Sequence, residues 1–126
     1  MRIRQKEDQY FRAKRHIEWL MEKYENIQTI DIDLTNVFYE FKSTVEKNSS
    51  TNKLALANTR SRIRMMTLYY HATINNSIVV GTGNKVEDFG IGFYTKYGDG
   101  GVDISPIADL MKLSLIHISE PTRLRR

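Results

Sequence analysis

All seven glycines of this 126-residue chain fall between Gly81 and Gly101, and the eighty residues before them contain none. Glycine frees the backbone for sharp turns and close approach to a neighbouring group, and it weakens helices and strands from within. A chain divided in this way can build regular elements first and a loop-rich region after them. From Gly81 to Lys112 the glycines are interleaved with Thr82, Lys85, Glu87, Asp88, Lys96, Asp99, Asp103 and Lys112. Amide N–H groups and lysines suit an anion, and carboxylates suit a hard cation, so the window has the composition of a phosphate-plus-metal site. The short phosphate motifs do not fit it. Gly81-Thr-Gly-Asn-Lys-Val86 has valine where the dinucleotide fingerprint needs its third glycine, and no Gly-Lys-Ser/Thr follows at Walker spacing. On composition alone, a structural loop between surface turns stays open beside a ligand site.

Hydrophobic periodicity upstream predicts three helices and two strands. Residues 7–24 place Tyr10, Ala13, Ile17, Leu20, Met21 and Tyr24 on one helical face, with Trp19 packing at its edge and His16 on the solvated flank. Residues 27–32 alternate as a short strand does. Asp33 or Thr35 then caps a helix over 36–46, with Val37, Phe38, Phe41 and Val45 facing inward. Residues 47–53 are polar throughout and read as a mobile loop.

The longest helix covers 54–73 and carries two apolar stripes. One runs through Leu56, Ile63, Met66 or Thr67, and Tyr70; the other runs through Met65, Leu68, Tyr69 and Ala72. One core needs one stripe, so the second points to a partner copy and a homodimer. Residues 77–80 form a compact apolar run ending at Gly81, the pattern of a buried parallel strand. Such a strand delivers Gly81 and Thr82 at its carboxyl end, where open α/β sheets bind ligands. The order helix, strand, helix, helix, strand, loop makes the fold class α/β.

Composition excludes several classes. Hydrophobic residues make up 40% and charged residues 27%, as in an ordinary globular domain. The chain has no cysteine, and its three histidines, His16, His71 and His117, are too scattered to draw a histidine metal cluster. No stretch has the length and apolarity of a membrane span or a signal peptide, which leaves the cytoplasm as the default. The net charge is +4, but residues 113–126 hold three arginines and one glutamate, so residues 1–112 carry only +2. That balance gives no case for nucleic acid. The tail itself, LSLIHISEPTRLRR, reads as a translated sequencing adaptor and is set aside as non-native.

Three runs are specific: Val80-Gly-Thr-Gly-Asn-Lys-Val-Glu87, Phe93-Tyr-Thr-Lys-Tyr-Gly-Asp-Gly-Gly-Val-Asp103 and Pro106-Ile-Ala-Asp-Leu-Met-Lys112. Together with Asn58-Thr-Arg-Ser-Arg-Ile-Arg-Met65 they resemble the ammonia-dependent NAD synthetases, and the likeness covers residues 1–112. The resemblance implies a partial doubly wound parallel sheet, Rossmann-like and of the adenine-nucleotide alpha-hydrolase-like (ATP-pyrophosphatase) type. It implies ATP-dependent amidation of deamido-NAD by ammonia, with Mg2+, and a homodimer. Carried over residue by residue, Arg62, Lys96 and Asp103 hold deamido-NAD, Thr82 and Lys112 contact ATP, and Glu87 ligates magnesium. The roles of Lys85, Asp88 and Asp99 stay open between ligand contact and turn structure, and the flanking Arg60 and Arg64 share a helix face.

The chain also departs from the family. It has no Ser-Gly-Gly-x-Asp-Ser run, the family's pyrophosphate cradle, so residues 1–112 are expected to be a partial domain that is inactive alone and folds poorly. Two other readings stand beside this one: a non-catalytic nucleotide-binding or helical dimerisation module, and a glutamine-using synthetase.

Overall fold

The computed structural model describes residues 1–47 and 52–119, with side chains described as far as residue 116. Residues 48–51 of the expected mobile loop, residues 120–126 of the tail and the side chain of His117 lie outside the described residues. The chain divides into two compact units, Met1–Leu56 and Ala57–Arg126.

The first unit holds α1 (Glu7–Lys23) and α2 (Thr35–Glu46). Glu7 and Asp8 in the first turn of α1 and Lys23 in its last complement the helix dipole. No residue of α1 is buried, although Tyr10, Ile17 and Leu20 of the expected stripe are half-buried. Trp19 is not a packing residue. It is 49% exposed, stacked on His16 at 5.6 Å with the Lys23 ammonium 5.1 Å from its ring. The start of α2 is fixed by Asp33, whose Oδ1 accepts the Thr35 N–H at 2.9 Å. Hydrogen bonding from the Thr35 side chain first, then this backbone bond, and the Arg2 guanidinium 3.5 Å away as a lesser cause, hold the Asp33 carboxyl below its ordinary range. Of the four α2 residues expected to face inward, only Phe38 is buried; Val37, Phe41 and Val45 are exposed.

The second unit is built on α3 (Lys53–Ile74), whose first turn belongs to the first unit. Asn52 caps that turn, its side-chain oxygen accepting the N–H groups of Leu54 and Ala55 at 3.0 Å each. At the far end Asn76 takes a left-handed φ of 49°, and the chain turns into the extended run 77–80. Val79 packs with Met65 and Ala72, and Tyr69 and Val102 close over them. This small cluster uses the second of the two stripes foreseen on the helix. From the first stripe Ile63 is buried, while Met66 and Tyr70 are 63% and 64% exposed.

The expected parallel sheet does not form among the described residues: the run 77–80 is reduced to a bridge at Val80, and 27–32 holds none, the bridge next to it falling at Asp33. Among the described residues β pairing is limited to Arg2 with Asp33 and Val80 with Ile104, both parallel. The physical reason is the number of neighbours. Residues 79–81 exchange hydrogen bonds only with residues 103–104, so they are paired along one edge, and Ile78 and Val80 stay exposed where a central strand would be covered. Beyond Gly81 the chain forms a π-helical segment, Val86–Ile91, and then α4 (Lys112–Ser119). Among the described residues no helix is long and apolar enough to cross a membrane.

Candidate functional site

The residues singled out by the sequence fall in the second unit, in three constructions. The first joins the middle of α3 to the loop 95–101. Asn58, Ser61 and Arg62 sit three and four residues apart, so they share a helix face. Asn58 Oδ1 accepts from the Thr95 hydroxyl at 3.1 Å, and Arg62 Nε donates to the Lys96 carbonyl at 3.0 Å. Ser61 Oγ donates to Asp99 Oδ1 at 2.6 Å and accepts the Asp99 N–H at 3.0 Å. Asp99 Oδ1 also takes the Thr95 N–H at 3.1 Å, closing the loop on itself. Desolvation raises the Asp99 carboxyl, but the hydrogen bonds from Ser61 and Thr95 outweigh it and hold the group below its ordinary range.

Glycine is required at one contact here. A Cβ on Gly98 would come within 2.9 Å of Ser61 Cβ and closer still to its hydroxyl, so only a hydrogen lets the loop lie against α3. Its neighbour Tyr97 takes a left-handed φ of 63°, and the Lys96 ammonium lies 5.1 Å from the Tyr97 ring. A non-glycine residue in that region costs of order 1 kcal/mol or more, and the hydrogen bonds around it hold it there.

The second construction is the exit of the run 77–80. Asp103 Oδ2 accepts the Val79 N–H at 2.7 Å and Oδ1 accepts the Tyr69 hydroxyl at 2.9 Å. Desolvation first, and then this bond to Asp103, raise the Tyr69 phenol. Gly81 N–H donates to the Ile104 carbonyl at 2.8 Å, which sets Thr82 at the mouth of a cleft of about 440 Å3. Arg64, Met65, Val79, Asp99 and Val102 also line that cleft. Burial first, and then the neighbouring Arg60 charge, push Arg64 down from its ordinary value. Asp99 and Val102 further border a second cavity of about 220 Å3 that reaches Gly83 and Asp88.

The third construction is the π-helical segment. Asn84, only 5% exposed, caps it by accepting the Val86 and Glu87 N–H groups at 3.0 and 3.2 Å. Gly92, with a φ of 68°, ends it. π-Helical turns are rare and concentrate at functional sites. This one carries Glu87 and Asp88, and Glu87 Oε1 lies 3.4 Å from Lys112 Nζ. Lys85 is engaged elsewhere, 3.8 Å from Asp109.

The structure thus brings Arg62 to Lys96 through a carbonyl and Glu87 to Lys112 through an ion pair. It ties Asp103 to the strand exit and leaves Thr82 exposed in the cleft. Sequence reasoning missed Asn58 and Ser61, whose shared helix face was readable from their spacing. It also missed the cap at Asn84, although Asn84-x-x-Glu87 has the capping-box spacing.

Among the described residues no three His, Cys, Asp or Glu side chains converge, so no all-protein metal cage exists. A hard divalent cation that keeps substrate phosphates among its ligands needs only one or two carboxylates, and Glu87 fits that requirement.

Comparison with known proteins finds relatives that match most of the chain. The NH(3)-dependent NAD(+) synthetase of Methanosarcina acetivorans is 39% identical over 107 residues, covering 85% of this chain and 40% of that relative. The solved NMN synthetase of Francisella tularensis superposes with a TM-score of 0.80 at 30% identity, covering 92% of this chain and 45% of that one. The NH3-dependent NAD synthetase of Campylobacter jejuni gives 0.63 at 30% identity, covering 75% and 39%. The chain therefore spans about two-fifths of the length of the relatives it matches. The NAD synthase family model matches residues 2–122, which takes in both units and runs past Lys112; the chain belongs to the NAD synthase family.

Proposed function

We propose that the chain is part of an ammonia-dependent NAD synthetase, holding deamido-NAD and ATP while the nicotinate carboxylate is amidated by ammonia. The observation that carries this reading is the Arg62–Lys96 arrangement. Arg62 spends Nε on the loop carbonyl and keeps its two terminal nitrogens as donors, beside a loop that carries a second cation. A planar guanidinium fork and an ammonium suit the phosphates and carboxylate of a deamidated dinucleotide. Asp103 retains lone pairs beyond those used by Tyr69 and Val79 and would accept substrate hydroxyls. Thr82 and Lys112 would contact ATP, and Glu87 would hold Mg2+, which when bound neutralises charge on the phosphates.

The chemistry needs position and charge more than proton transfer. The substrate carboxylate is already ionised at neutral pH. Its oxygen forms a bond to the α-phosphorus of ATP as the bond to pyrophosphate breaks. Ammonia then attacks the acyl carbon, AMP leaves with the bonding pair, and the nitrogen gives up one proton to solvent to become the amide. Arg62, Lys96 and Asp103 supply proximity, and Lys112 supplies charge stabilisation. The fold class we propose is the doubly wound parallel sheet, and the parallel sense of each bridge, Arg2–Asp33 in one unit and Val80–Ile104 in the other, is compatible with it. ATP as co-substrate goes with a cytoplasmic location.

A titration of deamido-NAD into the chain, followed by calorimetry, tests the reading. We expect saturable binding, weakened about tenfold in Lys96→Met, the scale of one charge-assisted hydrogen bond. Absence of binding by a wild-type chain that shows helical circular dichroism would overturn the proposal. With no Ser-Gly-Gly-x-Asp-Ser run in the sequence, ATP- and ammonia-dependent NAD formation is expected to be absent in the 126-residue chain. The likeness to the NMN synthetase supports a second reading, in which the mononucleotide is amidated instead. A parallel titration with the deamidated mononucleotide separates the two.

A further inference from the structure

We propose that Ser61 and Asp99 are a positioning pair for the dinucleotide, latching the loop 95–101 onto α3 so that Lys96 is presented before any ligand arrives. The inference rests on the deamido-NAD reading above and deepens it.

Its basis is the density of contacts between one helical turn and one loop. Asn58, Ser61 and Arg62 meet Thr95, Lys96 and Asp99 through four hydrogen bonds between 2.6 and 3.1 Å. The Ser61–Asp99 exchange is reciprocal: the hydroxyl gives its proton to the carboxylate and accepts the N–H of the same residue. Asp99 Oδ1 then takes the Thr95 N–H on the other side of Lys96. Lys96 therefore stands in the loop between Thr95 and the carboxylate that holds the Thr95 N–H, with its own carbonyl pinned by Arg62.

Two further observations show that the loop is held in an arrangement it would not adopt unaided. Tyr97 has its left-handed φ, and the Gly98 backbone lies too close to Ser61 to admit a methyl group. A cation-bearing loop with so many anchors has lost its ordering entropy before binding. Preorganisation of this kind raises affinity without adding a contact to the ligand. Neither Ser61 nor Asp99 needs to touch the substrate; both act through Lys96. Of the residues proposed for ATP, Lys112 is paired with Glu87 away from the latch, and Thr82 lines one cleft with Ser61 and Asp99. The latch fixes Lys96 and neither of these, so its loss should weaken deamido-NAD more than ATP.

The test uses the 126-residue chain and Ser61→Ala, in which alanine keeps the helix, with Asp99→Asn as a second variant that preserves shape. Hydrogen exchange is read at Thr95, Gly98 and Gly101, whose N–H groups do not bond to Ser61. Binding of deamido-NAD and of ATP is read by calorimetry. The expected result is faster exchange at those amides in both variants and a roughly tenfold loss of deamido-NAD affinity with ATP affinity within about twofold. The double variant should be no worse than the weaker single one, because the two residues act as a unit.

Unchanged deamido-NAD affinity in a wild-type-like background would overturn the positioning role alone. So would an equal loss for both ligands, which marks a general structural defect. A wild-type chain that binds no deamido-NAD would instead overturn the function itself, and the positioning role with it. If either variant loses helical circular dichroism, the other carries the same comparison.

Discussion

A carboxylate that accepts several hydrogen bonds is held in its ionised form, and Asp99 is the clearest case in this chain. Its folded value lies below the unfolded one, so the stabilisation is fully present above the ordinary aspartate value of about 4 and is lost as the pH falls through the depressed folded value. A carbon-detected NMR titration of the Asp99 carboxyl should give a midpoint below that ordinary value, moving upward in Ser61→Ala. The sequence left Asp99 undecided between ligand contact and turn structure, and the structure shows it tying the loop to the helix. The same decision could not be read from Gly-Asp-Gly-Gly itself, because Ser61 is 38 residues away in sequence.

The loop 95–101 and the π-helical segment make two predictions at the scale of elements. Gly98→Ala puts a methyl group against Ser61 Cβ, which belongs to a helix and cannot swing aside. We expect a destabilisation of about 1–3 kcal/mol, as for overpacking at a close contact, measurable by urea unfolding. By contrast the Glu87–Lys112 pair is largely solvated, with side chains 40% and 66% exposed. Glu87→Gln should therefore stay within about 1 kcal/mol of the wild type in stability. Its effect should appear in ATP binding, as a smaller gain in affinity on adding magnesium, measured by calorimetry with and without the metal. The helices were legible because their apolar residues recur with helical period. The π-helical segment was not, since glycines at 83, 90 and 92 suggest a loop and only the Asn84 cap argues otherwise.

At the scale of the whole chain the balance of buried and exposed apolar surface governs behaviour. Only seven hydrophobic residues are buried among those described, while Met66, Tyr70, Phe89, Ile91 and Phe93 are each more than 60% exposed. Met66 and Tyr70 lie on the part of α3 that the Val79 cluster does not cover. We expect this face to join a second copy. Light scattering should show a dimer for the wild type and a monomer for Tyr70→Lys; a monomeric wild type would remove the homodimer proposal. The two stripes on α3 were readable as a pattern. Which stripe the chain's own residues cover was not readable, because that depends on where Val79 and Val102 return.

By itself the sequence determined the positions of the three long helices, the loop-rich character of the region after Val80, and the family. Each of these follows from local periodicity, from the backbone freedom of glycine, or from contiguous motifs. Only the tertiary structure decided that the Asn58–Met65 and Thr95–Gly101 motifs form one construction, that Arg62 spends a donor on Lys96, and that Glu87 and Lys112 meet. It also decided that the run 77–80 is paired along one edge and that 27–32 holds no bridge. Those outcomes turn on hydrogen bonds between residues 23 to 38 positions apart, and no local pattern encodes which distant groups will arrive to satisfy a donor or an acceptor.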